Sequence, residues 1–77
     1  MSSDSRRYAI GVDLGGTNIV VGAMPLDGAR EIGVRSEPTM AALGAMGVAD
    51  RISELIEETI ATVIEEEGVS REAIAGI

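Results

Sequence analysis

The sequence predicts an α/β fold: a three-stranded antiparallel meander, one long helix and the start of a fourth, parallel strand. Three observations carry this. Two short alternating segments flank an almost wholly apolar one, and the three are separated by tight turn signals. From Val48 onward the apolar period changes from that of a strand to that of a helix. A short apolar run, Ile74-Ala75-Gly76-Ile77, then follows the helix.

Met1 to Arg6 is polar and is expected to be a disordered tail, leaving 7–77 as the structured portion. From Arg7 to Asp13, Tyr8, Ile10 and Val12 alternate with Ala9 and Gly11, which is strand periodicity. Leu14 to Asn18 holds adjacent glycines and a Thr-Asn pair, which is turn chemistry. Ile19 to Met24 is β-branched and apolar and reads as a strand buried on both faces. Pro25-Leu26-Asp27-Gly28 is a second turn with the Asp-Gly hairpin signal. Arg30 to Ser36 alternates again, with Ile32 and Val34 set against Glu31, Gly33 and Arg35, and Pro38 closes the sheet region.

Thr39 to Gly47, rich in Ala, Gly and Met, gives no clear signal; Met40 and Met46 read as core gap-fillers. Val48, Ile52, Leu55, Ile56, Ile60, Val63 and Ile64 recur at helical spacing and define one face. Asp50, Glu54, Glu57, Glu58, Glu65 and Glu66 fill the other, which reads as a solvated surface. Gly68 suits the residue just past the helix end, with Val69 the apolar residue after it, and Ser70 suits the cap of a short turn through Ala73.

Composition narrows the chemistry. The chain has 77 residues, 13 acidic against 6 basic, and a net charge of −7; all the basic residues are Arg. That balance disfavours nucleic acid and anionic membranes as partners. With no Cys and no His, neither disulfides nor the usual zinc ligands stabilise the fold. Tyr8 is the sole aromatic, so the core is built from Ile, Val, Leu, Met and Ala. No signal peptide is evident in the sequence, and no apolar run is long enough to span a bilayer. A cytoplasmic location is the expectation. The chain ends inside an apolar run and offers one helix to cover a sheet, so it reads as an incomplete domain.

The segment with chemical content is Asp13-Leu14-Gly15-Gly16-Thr17-Asn18. Glycines allow close backbone approach to a ligand, and successive N–H groups in such a loop can form an anion-binding nest. Thr17 adds a hydroxyl. A carboxylate at Asp13 would repel phosphate directly, so its place beside the loop points to Mg²⁺ between them, with Asp13 contacting a metal-bound water or the metal itself. The P-loop is excluded because it needs a Lys, and the dinucleotide fingerprint because no G-x-G occurs. As plain turn chemistry, the same residues need no ligand at all. Gly22 reads as close packing between strands.

Ile10 to Gly22, and Val12-Asp13-Leu14-Gly15-Gly16-Thr17-Asn18-Ile19 in particular, resembles the phosphate-1 motif of the ROK family. That family comprises bacterial glucokinases, related sugar kinases and repressors sharing the domain, within the actin, Hsp70 and sugar-kinase superfamily. The later Glu37-Pro38-Thr39, long helix and Ile74 to Ile77 follow the same order. The resemblance implies the front part of a ribonuclease-H-like, actin-like ATPase domain. It implies ATP as cofactor, held by Gly15, Gly16, Thr17 and Asn18, with Mg²⁺ on Asp13 through water. It implies phosphoryl transfer to a hexose, glucose first, by positioning and charge neutralisation, and a homodimer when complete. The catalytic base, the sugar-binding residues and any zinc site would lie beyond Ile77, so no catalytic residue is expected in this span and the span alone is expected to be inactive. The alternatives are a ROK-type sugar-responsive repressor, disfavoured because six residues before Arg7 cannot hold a helix-turn-helix, and a non-kinase ATPase of the same superfamily.

Overall fold

A computed structural model describes residues 6–28, 30–39 and 44–77. The alternating segment after Arg7 forms β1 (Tyr8–Leu14), and the apolar segment after the Gly-Gly loop forms β2 (Asn18–Pro25). They pair antiparallel in unbroken register, from Tyr8 opposite Pro25 to Leu14 opposite Ile19. The Asp-Gly turn closes as its residues require: the Gly28 N–H donates to the Pro25 carbonyl at 2.8 Å, and Gly28 takes a left-handed φ of 73°. The chain returns as β3 (Ile32–Pro38), antiparallel to β2. Pro38, without an N–H, ends β3 on an edge strand, where no ladder bond is lost.

The helix, α1, spans Gly44–Glu67. It begins four residues before Val48, so Gly44 to Gly47, left unplaced by the sequence, are its first turn. Leu55, Thr59, Ile60 and Val63 are buried, with Val48, Ile52, Ile56 and Ile64 partly so. Thr59 was not expected on this face. It is buried because its hydroxyl donates to the Leu55 carbonyl at 2.8 Å, which leaves no polar atom unsatisfied.

Contacts between β3 and α1 give the helix its direction. Glu37 meets Arg51, Arg35 meets Glu58 and Thr62, and Arg30, just before β3, meets Glu67. The pairs run in opposite chain order, so α1 is antiparallel to β3 and carries the chain back to the start of β1. Gly68, with φ 66°, ends the helix, and its N–H donates to the Ile64 carbonyl at 3.1 Å. A 3-10 turn (Arg71–Ala73) follows. Ser70 stands at its cap position, but its side chain makes no capping hydrogen bond; the closure comes from the Ser70 carbonyl, which accepts from the Ala73 N–H. Then β4 (Ile74–Gly76) pairs parallel with β1. The sheet order is β3-β2-β1-β4, and the fold is α/β with a four-stranded mixed sheet and one helix.

Packing differs from expectation at three places. β2 is not buried on both faces: Ile19, Val21 and Ala23 are buried beneath α1, while Met24 on the other face is exposed, because all described helical structure lies on one side of the sheet. Ile32 and Val34 do not share a face. The register shifts between Val21 and Ala23, and Gly33 takes φ 61°, so Ile32 is buried and Val34 stands exposed against Gly22. A Cβ at Gly22 would lie 3.1 Å from Val34 Cγ2, which supports the packing reading of that glycine. Met46 fills no gap, being 79% exposed on the first turns of α1. The expectations for the tail over residues 1–5 and for Met40 lie outside the described residues. No helix among the described residues is long and apolar enough to cross a membrane.

Candidate functional site

The β1–β2 register fixes where each loop residue stands. Side chains alternate along β1, so Tyr8 and Ile10 enter the core while Ala9, Gly11 and Asp13 face the open side. Asp13 stands opposite Val20. It borders an open hollow of about 420 Å³ on the uncovered sheet face, also lined by Gly11, Val20, Gly22 and Met24. Among the described residues no ion pair or hydrogen bond engages its carboxylate, and no cluster of three metal-ligating side chains forms. This donor set does not suit a metal held by protein alone. It fits a hydrated Mg²⁺ that shares its shell with phosphate oxygens.

The loop itself is held by its own strands and by the residue after β3. The Gly15 N–H donates to the Asn18 carbonyl at 2.9 Å. Thr39 donates twice: its hydroxyl to the Gly15 carbonyl at 3.1 Å and its N–H to the Thr17 carbonyl at 2.8 Å. The Asn18 side-chain amide donates to the Thr17 hydroxyl at 3.3 Å. Among the described residues the N–H groups of Gly16 and Thr17 have no acceptor, and both residues are exposed.

The glycines act differently from the sequence expectation. Neither Gly15 nor Gly16 adopts a left-handed φ, so conformational freedom is not what the loop takes from them. A Cβ at Gly15 would crowd the Asn18 carbonyl at 3.3 Å, whereas one at Gly16 would meet nothing within 4 Å. Gly15 is explained by the hairpin. Gly16 leaves clear space beside its own amide and that of Thr17.

Thus Asp13, Gly15, Gly16, Thr17 and Asn18 gather at one end of the sheet. Thr39 joins them and was missed. Its signal was positional: an antiparallel meander returns the end of β3 to the start of β2, beside the loop.

No arginine supplies charge here. Arg51 is paired with Glu37, Arg35 with Glu58, Arg71 with Glu57 and Arg30 with Glu67, and Arg7 donates to the Glu72 carbonyl. Arg6, Arg7 and Arg30 border a second hollow at the opposite end of the sheet. The Arg51 guanidinium, hydrogen-bonded to Glu37, holds that carboxyl below the usual carboxylate range despite some desolvation. Arg30 and then the Tyr8 hydroxyl do the same for Glu67, and Arg71 for Glu57.

No protein-family model matches the chain, and no curated protein matches it. A solved structure described as a reductive activator for corrinoid, iron-sulfur protein does, with 22% identity and a TM-score of 0.52. The match covers 97% of this chain and 15% of that one, so the chain spans a small part of that protein's length. At this identity the likeness is one of fold. The resemblance to the ROK sugar kinases is overturned: it rested on the wording of one loop and on the order of the elements after it, no family model supports it, and the structural match is to a protein of another described activity.

Proposed function

We propose that the loop from Asp13 to Asn18 binds the phosphates of ATP together with Mg²⁺, in an α/β unit of the ribonuclease-H-like, actin-like ATPase kind. The strand order β3-β2-β1-β4, antiparallel in its first three strands and parallel in the fourth, supports that fold assignment. The observation that carries the binding reading is the pair of exposed N–H groups on Gly16 and Thr17 that have no acceptor among the described residues, with open space where a Cβ at Gly16 would stand. Exposed donors of this kind are a ready site for an anion. Asp13, at the base of the loop and without a partner among the described residues, is the group that would hold a metal-bound water. Mg²⁺, when bound, supplies charge neutralisation between that carboxylate and the phosphates. The hexose acceptor rested on the overturned family resemblance alone, so the proposal stops at Mg-ATP binding. The described activity of the solved relative is not carried over either, because at 22% identity over 15% of that chain the likeness is one of fold.

The test is a titration of the ¹⁵N-labelled chain with ATP, with and without Mg²⁺. The Gly16 and Thr17 amide resonances should move most, with saturation in the millimolar range or tighter, on the order of 4 kcal/mol or more. Asp13→Asn should weaken binding only when Mg²⁺ is present, and Gly16→Val should block it either way. Loop resonances that stay still up to about 10 mM Mg-ATP would remove the reading. Equal Mg²⁺ dependence in Asp13→Asn and wild type would remove the metal role.

A further inference from the structure

We infer that Thr39 is the positioning residue of this loop: it clamps two peptide planes and thereby sets the direction of the amides that face an anion. The inference rests on the phosphate reading above. Every described peptide bond is trans, so within each peptide plane the carbonyl and the following N–H point in opposite directions. Fixing the Gly15 carbonyl therefore fixes the Gly16 N–H, and fixing the Thr17 carbonyl fixes the Asn18 N–H. Thr39 does both, through its hydroxyl and its backbone N–H. The plane between them, which carries the free Thr17 N–H, is left spanning two pinned neighbours. Two single bonds separate each pinned plane from the middle one, so little rotation remains to it. An anion that needs convergent N–H donors then meets a loop already ordered, and the ordering cost falls on folding rather than on binding.

Thr39 is itself anchored. Two residues earlier, Glu37 meets Arg51 of α1 in a two-pronged contact, its Oε2 accepting from Nε at 2.6 Å and its Oε1 from the terminal guanidinium nitrogen. Bidentate pairs of this kind restrict geometry as well as adding attraction. The end of β3 is thus tied to the helix, and the loop is tied to the residue that follows β3. Helix, edge strand and loop form one connected unit, although no residue of α1 touches the loop through any of these bonds.

The experiment compares Thr39→Val, which keeps the branched shape and the backbone N–H but removes the hydroxyl, with Thr39→Ser, which restores it. Without ligand, Thr39→Val should shift the Gly15 carbonyl resonance and increase fast loop motion in ¹⁵N relaxation, while Thr39→Ser matches wild type. With Mg-ATP, Thr39→Val should bind about 5- to 10-fold more weakly, the effect of one hydrogen bond, and Thr39→Ser within about twofold of wild type. If Thr39→Val leaves both the Gly15 resonance and the affinity unchanged while Gly16→Val blocks binding, the clamp is wrong and the phosphate loop stands. If Mg-ATP moves no loop resonance even in wild type, the phosphate reading fails and takes with it the role assigned to Thr39, whatever the ligand-free spectra show.

Discussion

The two faces of this sheet are built from the same strands and treated in opposite ways. Toward α1, Ile10, Ile19, Val21 and Ala23 are buried, and the helix and strand carboxylates Glu37, Glu58 and Glu67 each meet an arginine. Away from it, Met24 and Val34 are exposed, and Asp13 and Glu31 border the hollow with no ion pair among the described residues. Near the loop even the helix-side face thins out: Val12 and Leu14 are exposed, because α1 lies over β2 and β3 far more than over β1. On the covered face, packing and charge pairing account for residue identity. On the open face and at the loop they do not.

Truncating one side chain on each face gives the largest expected contrast. Leu55 is fully buried, so Leu55→Ala should cost about 2–5 kcal/mol in urea denaturation. Val34 is half exposed and rests on Gly22, so Val34→Ala should cost under about 1 kcal/mol. Comparable losses for the two would mean that the open face is covered in solution.

Two glycines sharpen the comparison at the backbone. Gly33 sits at φ 61°, and an added Cβ would come within 3.0 Å of Thr62 Cγ2 on α1. Gly33→Ala should lose about 1–2 kcal/mol from the left-handed backbone alone. Gly16→Ala should be within about 0.5 kcal/mol of wild type, since its φ is ordinary and its surroundings open. Chemical denaturation of both variants decides it. A Gly16→Ala loss as large as that of Gly33→Ala would give Gly16 a structural role and remove the support it lends to ligand binding.

The same contrast explains which features were legible beforehand. Strand alternation, the Asp27-Gly28 turn, the helical face from Val48 and the Gly68 stop are local patterns, and each recurs in the structure. The Gly33 bulge was not legible, because a glycine in an alternating strand looks the same whether the pleat continues or shifts; pairing with Val21 and Ala23 decides it. The start of α1 was missed because Gly44 and Gly47 weaken helical propensity over its first turn. Thr39 lies 24 residues from the Gly15 carbonyl it holds, and only the meander brings them together. The loop's content was visible, but its wording was too short to carry a family, and the two free amides are a property of geometry alone.

The smallest expected effect is the response to acid, which tests the charge pairing of the covered side. Glu37, Glu57 and Glu67 each have a carboxyl pKa lowered by a hydrogen-bonded arginine. The folded state therefore holds fewer protons at these sites than the unfolded chain does. Their contribution is fully present above the ordinary Glu value of about 4.3 and is lost as pH falls below it. All three pairs are solvent-accessible, so each contribution is modest and screened by salt. A second effect opposes it: protonation relieves the self-repulsion of a chain with net charge −7. The pH profile of wild type alone mixes the two, and a variant separates them. Arg51→Gln removes the partner that lowers Glu37 while leaving the other acids in place. Thermal melts from about pH 7 to pH 3, straddling the ordinary Glu value, should show wild type losing its advantage over Arg51→Gln below about pH 4.3, with a smaller advantage throughout at high salt. An advantage that stays constant down to the acid end would show that Glu37 and Arg51 contribute no proton-linked stability, and the two faces would then differ in packing but not in charge.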